Sequence, residues 1–177
     1  MFRQLDQVYN YYREIAESYR GQGLRILKTD THNESGIWSH SIPLAPILND
    51  GNTLTCIEIE QATLDLAKKN YPDLDFRMGD ILTWEGEYDA VLDFSTIDHV
   101  LDFRAALENY RKLAPKLSCI VWLHDGFRQD GSQYWFCEAD FRQAVQDVYG
   151  DHESKALYAP NIGTLHHFIC PGNTSTT

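Results

Sequence analysis

From Thr53 to Val100 the chain alternates short apolar runs with polar exits, and this stretch constrains the fold more than any other. Leu54-Thr55-Cys56-Ile57 reads as a buried strand ending on Glu58, and a helix follows at once over Gln61 to Asn70. A second strand, Leu74 to Met78, closes on Gly79-Asp80. A third apolar run, Ala90 to Phe94, opens into Ser95-Thr96-Ile97-Asp98-His99-Val100. Strands alternating with helices predict a parallel α/β sheet, and such sheets bind ligands outside the carboxyl ends of their strands. A carboxylate at such an end can hold the two hydroxyls of a ribose, and Asp80 on a second strand end can meet an adenine edge. The pattern predicts a nucleoside site.

The flanks extend the same architecture. Phe2, Leu5, Val8, Tyr9, Tyr12, Ile15 and Tyr19 recur at helical spacing and stop at Gly21-Gln22-Gly23, so the chain opens with an amphipathic helix. Leu24 to Lys28 is the first strand, Ser41 to Leu48 a short helix with Pro43 in its first turn, and Asp50-Gly51-Asn52 a turn. Trp84-Glu85-Gly86-Glu87 leaves little room for a third crossover helix. Phe103, Ala106, Leu107, Tyr110 and Leu113 mark a helix that closes at Pro115; the strand Ser118 to Leu123 then ends at His124-Asp125-Gly126. Phe141, Ala144, Val145 and Val148 mark another helix, and Lys155 to Ala159 with Thr164 to Ile169 make a hairpin around Pro160-Asn161-Ile162-Gly163. Residues 1–170 read as one domain, with a polar, flexible tail over 171–177.

A formal net charge of −11 argues against a nucleic-acid substrate, since a phosphate backbone would be repelled and no basic stripe offsets it. Lys68-Lys69 and Arg111-Lys112 are short pairs on helices and read as solvated faces. A small-molecule substrate fits better. Cys56, Cys119, Cys137 and Cys170 form no C-x-x-C pair, and no apolar run suits a signal peptide or a membrane span. A reducing cytoplasm is the expected compartment, and no membrane partner is expected; oligomeric state is open.

Cys56-Ile57-Glu58-Ile59, Leu64 to Tyr71, Phe76-Arg77-Met78-Gly79-Asp80-Ile81 and Tyr88 to Val100, in that order, resemble the central part of a class I S-adenosylmethionine-dependent methyltransferase. The resemblance covers roughly Leu24 to Ile169 and implies a Rossmann-like, doubly wound, mostly parallel seven-stranded sheet with a C-terminal antiparallel hairpin and an N-terminal helix. It implies S-adenosyl-L-methionine as cofactor, with Glu58 on the ribose, Asp80 on the adenine amino group, and the Ser95 to His99 loop near methionine and substrate. Where that family carries Gly-x-Gly-x-Gly, this chain has Asp30, His32 and Glu34, followed only by Gly36. It resembles there a variant subgroup with a Leu-Lys-Thr-Asp segment, in which Asp30 meets the cofactor's ammonium. The expected cofactor shell is therefore Thr29, Asp30, Glu58, Ile59, Asp80, Ile81, Ser95 and Thr96. No G-x-G-x-x-G is present to seat a pyrophosphate, which disfavours a nicotinamide-dependent oxidoreductase.

Each candidate has a bland counterpart. The counterpart for Glu58 is a helix cap and for Asp80 a turn former after Gly79, and in both the fold position favours the nucleoside role. His99 and His124 are the candidate bases for an acceptor's proton, or else His99 caps its loop while Asp98 orients it. Asp98, Tyr11 and Trp38 are candidate substrate contacts; Tyr9 and Tyr12 read as core. Trp84 offers either a stacking face or sheet-edge packing. His32, Glu34 and His40 match no established ligand spacing, so no metal is expected. His166 and His167 face opposite sides of one strand and cannot serve one site. The two functional readings are a methyltransferase acting on oxygen, nitrogen or carbon of a small molecule, and a non-catalytic domain that binds the cofactor or its product for sensing or partner binding.

Overall fold

The computed structural model describes residues 2–37, 41–159 and 163–172. Its elements run α1 (Phe2–Tyr19), β1 (Arg25–Lys28), α2 (His32–Ser35), α3 (Ala45–Asn49), β2 (Thr53–Glu58), α4 (Gln61–Asn70), β3 (Asp75–Met78) and β4 (Ala90–Phe94). A 3-10 turn (Ile97–His99), α5 (Phe103–Leu113), β5 (Lys116–His124), β6 (Arg128–Asp130), β7 (Gln133–Cys137), α6 (Glu138–Tyr149), β8 (Glu153–Ala159) and β9 (Gly163–Cys170) follow. The main sheet is ordered β3-β2-β1-β4-β5-β9-β8, parallel from β3 to β5 and antiparallel at β9 and β8. This is the Rossmann-like mixed sheet, with leading helix and closing hairpin, that the sequence implied.

Alternation along each strand feeds two apolar layers. Leu27, Ile57, Val91 and Val121 point to one face, under Leu107 and Tyr110 of α5 and Phe141 and Val145 of α6. Ile26, Cys56, Leu92 and Ile120 point to the other, under Val8, Tyr12 and Ile15 of α1, Leu48 of α3 and Leu64 of α4. The strands are buried on both faces and so read as continuous apolar runs. Gly51, at φ +74°, packs so tightly on the end of α1 that a Cβ there would stand 2.7 Å from Gly21 Cα. The loops are tied by Gly21 N–H to Asp50 O (2.8 Å) and Gly23 N–H to Gly51 O (3.0 Å).

Two expectations need correcting. The helix expected over Ser41 to Leu48 starts only at Ala45, because Pro46 has no N–H to bond the preceding turn and is tolerated only near a helix start. The segment 128–137, for which the sequence analysis names no element, forms the antiparallel hairpin β6–β7. Its signal was present: Asp130-Gly131 before the aromatic run Tyr134-Trp135-Phe136 is a hairpin pattern. β9 occupies one edge of β5 up to Leu123, and β4 the other up to Ile120. β7 then pairs in parallel with Leu123 and His124, so it continues the line of β4 beyond that strand's end. The connection 79–89 carries turns and no helix. Pro160-Asn161-Ile162 and Asn173 to Thr177 lie outside the described residues. Among the described residues, no helix is long and apolar enough to cross a membrane.

Candidate cofactor site

The carboxyl ends of β1, β2, β3 and β4 bring most of the candidate residues to one rim. At the end of β1, Lys28 is fully buried between Cys56 and Leu92 of the adjacent strands. Its ammonium donates to Asp30 O (2.6 Å), Asp30 Oδ1 (3.0 Å) and Glu34 Oε2 (3.0 Å). Glu34 is also fully buried, and its Oε1 accepts the Leu44 and Ala45 N–H groups at the start of α3 (2.8 and 2.9 Å). Asp30 Oδ1 also accepts from His32 N–H, and Oδ2 accepts from the Thr96 hydroxyl (3.1 Å), which itself accepts from Thr29 (2.9 Å). Burial opposes the Asp30 charge, yet Lys28 and these hydrogen bonds outweigh it and hold the carboxyl below its usual range. Burial likewise opposes the Lys28 charge, and the two carboxylates reverse it, so its pKa is raised.

Glu58, at the end of β2, spends both oxygens. Oε1 accepts Ile59 and Glu60 N–H (2.9 and 3.0 Å), and Oε2 accepts the N–H and hydroxyl of Thr31 (both 3.2 Å). It thus joins its own strand exit to the loop after β1, while Ile59 beside it is 69% exposed. Gly79 N–H bonds Glu58 O (2.9 Å), placing Asp80 on the neighbouring exit. Asp80 Oδ1 accepts Leu82 N–H (2.9 Å) and its carbonyl accepts from Thr83 and Trp84, which is an aspartate turn. A Cβ on Gly79 would stand 2.5 Å from the Trp84 ring, so this glycine is set by close packing. Ile81 is buried in the core beside Leu27 and Ile57.

The exit of β4 is strained. Ser95 has φ +68°, the left-handed conformation that side chains rarely adopt, and its hydroxyl bonds Tyr12 Oη (2.8 Å). Asp93, buried in mid-strand, accepts Thr96 N–H (2.8 Å), Ile97 N–H and the Tyr110 hydroxyl (2.6 Å). Burial pushes its carboxyl up to about 7 despite these donors. Asp98 accepts Trp122 N–H through Oδ1 (3.0 Å), filling the gap on the edge of β5 between β4 and β7. Among the described residues its buried Oδ2 has no hydrogen-bond partner, and burial raises its pKa well above the usual value.

A pH dependence follows. Asp93 binds its proton more tightly folded than unfolded, so its contribution to stability is lost as pH rises from about 4 through about 7; Asp98 acts in the same sense. Burial lowers His167 to about 4, which works oppositely but only below about 6.5. Stability should therefore fall by about 1 kcal/mol between pH 6.5 and 8, and Asp93→Asn should reduce that fall in thermal melts. A melting temperature flat or rising over that window contradicts the assignment.

The other candidates stand apart. His99 is exposed, with Nδ1 3.0 Å from Ser132 O at the tip of the β6–β7 hairpin. His124 is exposed at the end of β5, opposite Cys137. Tyr11 lies against β9, its hydroxyl 2.8 Å from His167 Nδ1, while His167 Nε2 meets Ser118 Oγ (2.7 Å). His166 turns away to Arg142 and Glu138, on the opposite face as strand alternation requires. Trp38 and His40 lie outside the described residues. Among the described residues no group of three or more His, Cys, Asp or Glu side chains is placed to hold a metal. A cleft of about 480 Å³ lined by Leu82, Trp84, Asn109 and Lys112 lies between the C-terminal part of α5 and the connection that follows Asp80. Sequence reasoning missed Lys28, Glu34, Thr31 and Asp93; a lysine or an aspartate inside an apolar strand was the available signal.

No protein-family model matches the sequence, and neither does any curated protein. Solved structures do match. Magnesium protoporphyrin IX methyltransferase from Synechocystis PCC 6803, with bound S-adenosylhomocysteine, superposes at TM-score 0.71 and 15% identity over 94% of this chain and 83% of its own. The fold is the methyltransferase fold. An amino pentose methyltransferase of Micromonospora echinaspora calicheamicin biosynthesis, bound to S-adenosylmethionine, matches at TM-score 0.65 and 15% identity over 92% and 91%. A TehB-like S-adenosylmethionine-dependent methyltransferase from Corynebacterium glutamicum matches at 0.59 and 14% over 94% and 86%. At such identities the likeness to methyltransferases is one of fold.

Proposed function

We propose that this chain is an S-adenosylmethionine-dependent methyltransferase acting on a small-molecule acceptor. The observation that carries the reading is the surplus negative charge at the end of β1. Lys28 faces two carboxylates, and Asp30 is the member with side-chain exposure, 14%. An ammonium is the group such a carboxylate takes, and a zwitterionic, phosphate-free cofactor supplies one. Glu58, on the adjacent exit, takes the ribose hydroxyls by giving up the two long Thr31 bonds (both 3.2 Å) that Oε2 holds here. Exposed Ile59 offers an apolar face for an adenine ring, and Asp80 an acceptor for its amino group. Thr29, Ser95 and Thr96 border the methionine end.

When bound, the cofactor supplies an electrophilic methyl on a sulfonium. The protein's part is alignment and proton handling. Ser132 O can only accept, so His99 Nδ1 carries the hydrogen in that bond and neutral His99 keeps the Nε2 lone pair for a proton. Asp98, buried on Trp122 N–H, orders that loop, and exposed His124 at the end of β5 is the second candidate base. The net charge of −11 favours a small or cationic acceptor over a polyanion.

Calorimetric titration with S-adenosylmethionine and S-adenosylhomocysteine, with NAD as control, tests the reading. Binding of the first two and not NAD is expected. Glu58→Ala should weaken cofactor binding at least about tenfold by removing charge-assisted hydrogen bonds, whereas His99→Ala should leave it unchanged. Equal affinity in wild type and Glu58→Ala would sink the ribose assignment. No binding at all would mean a methyltransferase fold kept for another task.

A further inference from the structure

We propose that Lys28 is a positioning residue for an ammonium subsite, clamping Asp30 so that the unbalanced charge of a buried ion triad is delivered to the rim at one atom, Asp30 Oδ2. The inference rests on the cofactor reading above and assigns the part of that site that replaces a glycine loop.

Among the described residues, the other atoms of the triad are spent or sealed from solvent. The three ammonium hydrogens of Lys28 go to Asp30 O, Asp30 Oδ1 and Glu34 Oε2. Glu34 Oε1 is taken by two N–H groups of α3, and neither Lys28 nor Glu34 has any side-chain exposure. Asp30 Oδ1 is shared by Lys28 and His32 N–H. Only Oδ2, held from one side by the Thr96 hydroxyl, keeps a lone pair on the single partly exposed member. One cation against two anions leaves one negative charge, and geometry gives it one outlet.

The strand does not need a lysine here. Its register partners Cys56 and Leu92 are buried, and an apolar side chain at position 28 would fill the same layer without the cost of burying an ammonium. What the lysine supplies is order in the loop. A glycine loop holds a ligand by close approach of the backbone; Asp30, His32 and Glu34 preclude that and leave the task to side chains. A carboxylate already fixed before binding avoids the cost of ordering it afterwards. Thr31, between Asp30 and the ribose-facing Glu58, carries the same order to the second exit.

The test compares two ligands that share an adenosine thioether and differ at the amino-acid end: S-adenosylhomocysteine and 5′-methylthioadenosine. Calorimetry should show wild type preferring the former. Lys28→Met should weaken S-adenosylhomocysteine by about tenfold or more and leave methylthioadenosine unchanged, which also certifies the folded nucleoside site. Lys28→Met/Glu34→Gln removes one charge of each sign while keeping Asp30; it should behave the same way and is the variant to read if the single change unfolds. Parallel weakening of both ligands makes Lys28 merely structural and overturns the proposal, as does no change in either. Wild type binding both ligands equally overturns it while the cofactor reading stands; wild type binding neither overturns both.

Discussion

Lys28→Ala is expected to destabilise the fold by about 3–5 kcal/mol, because it strands buried carboxylate charge rather than merely deleting a contact. Glu34 has no exposure and would lose its one cationic partner among the described residues while keeping its two N–H donors from α3. The loop after β1 and the start of α3 are both organised by that carboxylate, so the loss should reach each of them. The neutral combination Lys28→Met/Asp30→Asn/Glu34→Gln removes all three charges with similar volumes and should cost far less than the single change. Urea midpoints for the two variants decide the matter. A single variant within about 1 kcal/mol of wild type would mean that water reaches the triad and screens it.

Phe141→Ala is expected to cost about 3–5 kcal/mol, lowering the melting temperature by roughly 10 °C for a chain of this size. The ring sits fully buried on α6, with centroids of Phe103 at 5.1 Å, Phe168 at 5.3 Å and Phe136 at 6.1 Å. It therefore joins α5, β9 and the added β7. Neighbouring rings cannot collapse into the vacated space without leaving their own strands, so the cavity should persist. A melting temperature within a few degrees of wild type would show that the aromatic cluster repacks.

The sheet was legible because buried parallel strands leave a strong local mark: an apolar run, a polar exit, and helical spacing before the next run. β4 and α4 lie where that pattern puts them, from Ala90 to Phe94 and from Gln61 to Asn70. The exits carrying Glu58, Asp80 and Ser95 follow from the strands and so were also readable. The Lys28–Asp30–Glu34 network was not. It closes through α2, a helix too short to have a periodicity, and through N–H groups of α3 whose start depends on where Pro46 can be accommodated. Tyr12 reads as core from its spacing, and its ring is core, but its hydroxyl reaches Ser95 across the sheet end. No local pattern reports the far end of a side chain. Asp93 is hidden for the opposite reason: an apolar strand pattern this clear masks the single charge within it.

The edge of β5 is divided among three successive tenants: β4 up to Ile120, the Asp98 carboxylate at Trp122, and β7 at Leu123 and His124. The strand exits proposed to hold a nucleoside and the hairpin standing beyond them therefore meet at a seam one side chain wide. Length and sequence can change on the hairpin side without disturbing a single rung on the other. On the function proposed above, a chain built this way can keep its donor chemistry fixed while its choice of recipient drifts, and grafting a different hairpin at that seam is a direct way to redirect it.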